Sequence, residues 1–130
     1  MLFRSFKHVL TQETAYASIL FSRRRELHRR TAACLEQLEP DHVGEIARHF
    51  LEAREPARAL PYLVEAADRA ARAYSTPEAI GYYTQALEIL KTVEAVSLAR
   101  RSYEGLGNAR MLTNDPLGTI ENYQIGRAHV

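Results

Sequence analysis

Apolar side chains recur along this chain at the 3.6-residue spacing of an α-helix, and prolines stand where one stripe ends and the next begins. Proline lacks a backbone N–H and its ring collides with the preceding turn, so a helix accepts it in the first turn far more readily than inside. Pro40, Pro56, Pro77 and Pro116 therefore mark helix boundaries. A chain divided in this way folds as a stack of amphipathic helices, and the expected class is all-α.

Leu20, Leu27, Thr31, Cys34, Leu35 and Leu38 share one face of a first helix over about 17–38. That stripe predicts Cys34 to be a small buried hydrophobe, and as the only cysteine it allows no internal disulfide. Asp41 is placed to cap a second helix, with Glu45 in its first turn and Val43, Ile46, Ala47 and Phe50 inward. Pro56 opens a third, with a small-residue stripe of Ala59, Leu60, Leu63, Ala66, Ala67, Ala70 and Ala73. Ser75-Thr76-Pro77 starts a fourth, with Ala79, Ile80, Tyr83, Ala86, Leu87 and Leu90 inward. A fifth is expected from about Val96 to Leu112, and Asn114-Asp115-Pro116 opens a sixth with Leu117, Ile120 and Tyr123 inward. Only the first dozen residues read differently: Leu2, Arg4, Phe6, His8 and Leu10 share a face in extended geometry, which suggests a short strand.

Charge is balanced overall, with 17 basic and 16 acidic residues, so the chain lacks the strongly basic balance of a domain built on phosphate contacts. Its distribution is uneven. Residues 1–35 carry seven basic and two acidic groups, residues 36–94 carry six and eleven, and residues 95–130 carry four and three. No apolar run reaches the roughly 18–20 residues that span a bilayer, and the start lacks the order of a secretory signal. A cytoplasmic chain without a membrane partner is expected.

The basic excess concentrates at Arg23, Arg24, Arg25, Arg29 and Arg30. These could contact phosphates, but no docking helix with base-reading side chains accompanies them, so nucleic acid is the alternative partner and not the leading one. A solvated or interdomain helix face fits better, with arginine stems covering apolar surface and Glu26 pairing with Arg29 or Arg30. Within that reading the arginines could dock on the acidic 36–94 segment. His42, Glu45 and His49 lie on one helix without the His-Glu-x2-His spacing of a zinc site, so capping and surface hydrogen bonds are expected of them. Gly105-Leu-Gly107 starts like a dinucleotide loop but sits in a helical pattern and lacks a third glycine, which reads as helix packing. Nothing resembles a nucleophile–base pair or a carboxylate dyad.

Ala59, Leu63 and Ala66 have the spacing of Ala79, Tyr83 and Ala86, and Thr119 and Tyr123 repeat part of it. Leu106-Gly107, Ala67 with Ala70, and Ala47 with Phe50 precede these sets as first-helix signatures. Residues 42–123 thus resemble tetratricopeptide (TPR) repeats, an α-solenoid in which each antiparallel helix pair is stabilised by its neighbours. The steps of 20 and 40 residues depart from the usual 34. The third helix must therefore serve two units, and Lys91–Ala95 must form an enlarged turn.

Phe6-Lys-His8-Val-Leu10-Thr-Gln12-Glu13, with Arg23-Arg24-Arg25-x-Leu27-His28 after it, resembles the junction in bacterial AAA/STAND-type regulatory ATPases, often fused to cyclase or LuxR-type output domains. There a nucleotide-binding domain and a winged helix precede a TPR-like superhelix. Phe6-x-His8-x-Leu10 is similar to the Met-His-Asp motif of related signalling ATPases, with Lys7 and Val9 in place of Met and Asp. The resemblance implies that His8 senses ADP in the intact parent. No Gly-x4-Gly-Lys-Ser/Thr loop is present, so ATP or ADP is expected on an upstream domain and no cofactor on this segment.

The last six residues, Ile125-Gly-Arg-Ala-His-Val130, match a reading frame of a common sequencing adapter, and a non-native tail over 124–130 is expected. The resulting division is a winged-helix remnant at 1–16, a linking arginine-rich helix at 17–40, TPR-like repeats at 41–123, and that tail. The expected function is a protein-interaction and scaffold module of a multidomain signalling ATPase, with protein partners or the upstream ATPase domain and no catalysis of its own. The alternative is a nucleic-acid-binding fragment using the helix of Arg23–Arg30.

Overall fold

The computed structural model describes the backbone of residues 2–113 and 116–128, and the side chains of 7–113, 120–122 and 124–127. The described residues form helices α1 (Leu2–Leu38), α2 (Val43–Glu52), α3 (Pro56–Arg72), α4 (Thr76–Ile89), α5 (Val96–Leu112) and α6 (Pro116–Ala128), with no strand among them. The all-α class is therefore observed. Each helix packs on the next, and α3 also touches α5. Connections of three to six residues turn the chain back at each step, with the longest at Leu90–Ala95.

The expected strand in the first dozen residues is replaced by helix, so α1 starts near the chain's beginning and not at residue 17. A lone strand leaves its N–H and C=O groups unpaired, whereas a helix satisfies them within the segment. Thr11 and Thr14 add side-chain bonds to the carbonyls of Lys7 and Leu10, at 2.9 and 2.8 Å. The side chains of Leu2, Arg4 and Phe6, and of Leu117, Thr119 and Tyr123, lie outside the described set.

Pro56, Pro77 and Pro116 stand in the first turns of their helices, and Pro40 follows α1. Pro61 differs: it lies inside α3, exposed, where its missing N–H removes one helical bond. The caps also differ from expectation. α2 is preceded by His42 and not Asp41, and neither His42 nor Ser75 makes a side-chain capping bond. α2 and α3 end alike, with left-handed residues at Arg54 (φ 61°) and Tyr74 (φ 57°). Glu55 N–H donates to Phe50 C=O and Arg54 N–H to Leu51 C=O; Ser75 and Tyr74 repeat this with Ala70 and Ala71. Both ends are Schellman motifs, built without the usual glycine.

The core is continuous through α2, α3 and α4. Ile46, Ala47 and Phe50 of α2, the α3 stripe Ala59, Leu60, Leu63, Val64, Ala66, Ala67 and Ala70, and Ala79, Tyr83 and Ala86 of α4 are all buried. Small residues let these backbones approach closely: a Cβ at Gly44 would come 2.8 Å from the Tyr82 hydroxyl, and one at Gly105 would overlap the Tyr83 ring. The glycine-containing stretch of α5 is thus a packing feature. Val64 joins the core unforeseen, and Ala73 is exposed.

Candidate interaction surface

α1 divides into two halves with different surroundings. Ten residues of α2 span about 15 Å, whereas 37 residues of α1 extend about 55 Å, so α2 can cover only the end nearest to it. That end is held by specific contacts. Ala32 is fully buried against Ile46, Phe50 and Ala59. The Tyr62 hydroxyl donates to Glu36 at 2.5 Å, and Arg58 reaches the same carboxylate at 3.4 Å while lying over the Phe50 ring. Burial, then the bond to Glu36, pushes the Tyr62 hydroxyl up to about 12. His28 and His49 place their Nδ1 atoms 2.9 Å apart, one donating and one accepting. Burial, then Arg48 and His28, holds His49 below the ordinary imidazole value.

The face that α1 turns inward is therefore His28, Ala32, Leu35 and Glu36, which keeps only Leu35 of the stripe expected from hydropathy. Leu20, Leu27 and Leu38 are 50, 61 and 73% exposed, and Thr31 and Cys34 are exposed with them. Cys34 is thus not a core residue. The reason is fit: alanine at position 32 admits Ile46 and Phe50 closely, and the two polar residues on that face each meet a matched partner.

From Lys7 to Arg25 every residue of α1 is exposed. Val9, Leu10, Tyr16, Ile19, Leu20 and Phe21 lie in this half, each 47% exposed or more. The five arginines follow at its junction with the anchored half. Arg29 and Arg30 both reach Glu26, at 2.5 and 3.0 Å, and these bonds hold the Glu26 carboxyl below its usual range. Arg23, Arg24 and Arg25 make no ion pair among the described residues.

Docking of these arginines on the acidic 36–94 segment is not found within the chain. Several acids there meet nearer cations: Glu65 faces Arg69, Arg72 and Arg101, Asp68 faces Arg101, and Glu88 faces Lys91. Asp68 also accepts from the Tyr83 hydroxyl at 2.5 Å, which joins α3, α4 and α5 at one point. Burial, then this bond, raises the Tyr83 hydroxyl. Hydropathy gave no signal for Asp68, because it sits beside the apolar stripe of α3 and is matched only in three dimensions.

His8 is exposed on α1 with Nε2 3.3 Å from the Gln12 amide nitrogen, and no strand-to-helix turn surrounds it. His42 pairs with Glu39 at 2.8 Å while His49 turns toward His28, so His42, Glu45 and His49 do not converge. No group of three metal-ligating side chains occurs among the described residues. No helix among them is long and apolar enough to cross a membrane. A groove of about 680 Å³ lies between α4, the Leu90–Ala95 turn, α5 and α6, without a counterpart in the sequence reading; buried Asn122, whose amide nitrogen has no hydrogen-bond partner among the described residues, lines it. No family model matches the chain, and no curated protein or solved structure shows significant similarity to it.

Proposed function

We propose that this chain is a TPR-like interaction and scaffold module of a multidomain bacterial signalling ATPase, in the cytoplasm, with no catalysis of its own. The observation that carries the reading is α1. Its outer half presents large apolar side chains to solvent while α2 to α5 bury a core without it. Exposed apolar surface of that extent on a regular helix marks a contact with another protein or domain. The TPR-like part is supported by Ala59, Leu63 and Ala66 on α3 and Ala79, Tyr83 and Ala86 on α4, which are buried at matching positions. ATP or ADP belongs to an upstream domain in this reading, and the ADP-sensing role of His8 belongs to the parent.

The DNA preceding the Met1 codon tests the ATPase assignment. An in-frame Gly-x4-Gly-Lys-Ser/Thr loop upstream is expected; an in-frame stop codon immediately before Met1 contradicts it. A nucleic-acid reading has one observation in its favour, that Arg23, Arg24 and Arg25 make no ion pair among the described residues. It requires DNA affinity that falls steeply with salt and that Arg23→Gln and Arg24→Gln weaken.

A further inference from the structure

We infer that the outer face of α1 docks an acidic amphipathic helix of a protein partner. The inference rests on the reading of the chain as an interaction module and specifies the chemistry of what it takes. Val9, Tyr16, Leu20 and Leu27 fall at i, i+7, i+11 and i+18, which brings them onto one line about 27 Å long. They are 48, 65, 50 and 61% exposed. That line lies on the side of α1 away from Ala32, so packing on α2 and packing on a partner do not compete. At helical spacing Arg23 and Arg30 flank one edge of the line and Arg24 the other. A helix seated there therefore has its apolar face against leucines and its flanks against guanidinium groups. Carboxylates on those flanks supply the ion pairs that Arg23 and Arg24 do not make among the described residues.

Other occupants fit less well. A second copy in parallel register stacks arginine run on arginine run. In antiparallel register it sets the run against residues 7–20, where the one carboxylate, Glu13, is offset by Lys7. An anionic bilayer would set a continuous sheet of like charge against Glu13, which helical spacing puts near the Arg24 edge of the line, whereas a helix can place a neutral or basic side chain opposite it. Duplex DNA would meet the arginines and leave Tyr16 and Leu20 in water.

The test uses the full chain and synthetic amphipathic helices roughly 21 residues long, alike in leucine pattern and flanked by Glu, Gln or Lys. Binding is read by fluorescence anisotropy at low and high salt. The Glu-flanked helix should bind about tenfold or more tightly than the Gln-flanked one at about 50 mM salt, and the preference should shrink at about 500 mM. Arg23→Gln with Arg24→Gln should remove the preference. Leu20→Ser with Leu27→Ser should abolish binding while leaving the thermal midpoint in place, since both side chains are exposed. Equal binding of the Glu- and Gln-flanked helices overturns the acidic partner and leaves the interaction module standing. Failure of all three helices overturns both, as does arginine-dependent binding of phosphatidylserine vesicles or duplex DNA in their place. A dimer by sedimentation that Leu20→Ser dissolves also overturns the inference, in favour of a second copy.

Discussion

α1 and α3 carry apolar stripes of similar regularity, and the two stripes meet opposite fates. On α3, Ala59, Leu60, Leu63, Ala66 and Ala67 are all buried, because α2, α4 and α5 pack around that helix. On α1, Leu20, Leu27 and Leu38 are at least half exposed, because α2 and the start of α3 pack only on its anchored end and there on the opposite face, that of Ala32 and Glu36. Periodicity thus identifies a face that can be covered. What covers it depends on the lengths and positions of other elements.

Substitution at matched sites should separate the two helices most widely. Phe50→Ala, beneath α1's anchored half and α3, should cost about 3–5 kcal/mol, whereas Leu20→Ala should change stability by under about 0.5 kcal/mol. Urea denaturation of both variants checks this; a large loss at Leu20 would mean that the outer half of α1 is covered. Gly105→Ala pushes a methyl into the Tyr83 ring and should cost about 1–3 kcal/mol, read in the same way.

The α2–α5 boundaries and core were largely legible in the sequence, because prolines punctuate them and the inward residues repeat at helical spacing. Three things were not. The inward face of α1 includes His28 and Glu36, which hydropathy sets outside and which pair with His49 and Tyr62 only once α2 and α3 are in place. The alternation of Leu2, Phe6 and Leu10 suits a strand as well as a helix, and the lack of a partner strand decides it. The bond of Asp68 to Tyr83 spans two helices, and neither residue's neighbours in sequence announce the other. For the interaction surface, the arginine run is plain in the sequence, but Leu20 and Leu27 beside it belong to a stripe that hydropathy alone sets inward, and Val9 and Tyr16 lie outside that stripe.

Smaller effects refine the comparison. Tyr74 ends α3 in left-handed geometry and is 87% exposed, so Tyr74→Gly relieves the backbone penalty without losing packing. The gain should be about 0.5–1 kcal/mol, the difference between a left-handed cost of roughly 1–2 and the entropy that glycine adds to the unfolded chain. A rise in thermal midpoint checks it. pH should loosen the anchored half of α1 gently. His49 has its folded value below 6.5, so the fold favours its neutral form, and the contribution is present above pH 6.5. It is lost as the pH falls from there through the lowered folded value. His49→Gln should flatten the fall in stability between about pH 7 and 5 relative to the parent chain, measured by urea titration at each pH.

Hydrogen–deuterium exchange of the chain alone tests most directly the claim that α1 is anchored at one end and open at the other. Amides of residues 46–50 and 59–70 should be protected by several orders of magnitude, protection should begin on α1 near Glu26, and residues 7–20 should exchange close to the rate of an isolated helix. Uniform strong protection along α1 from residue 7 onward would contradict this, because it would show the outer face already covered and leave no free surface for a partner.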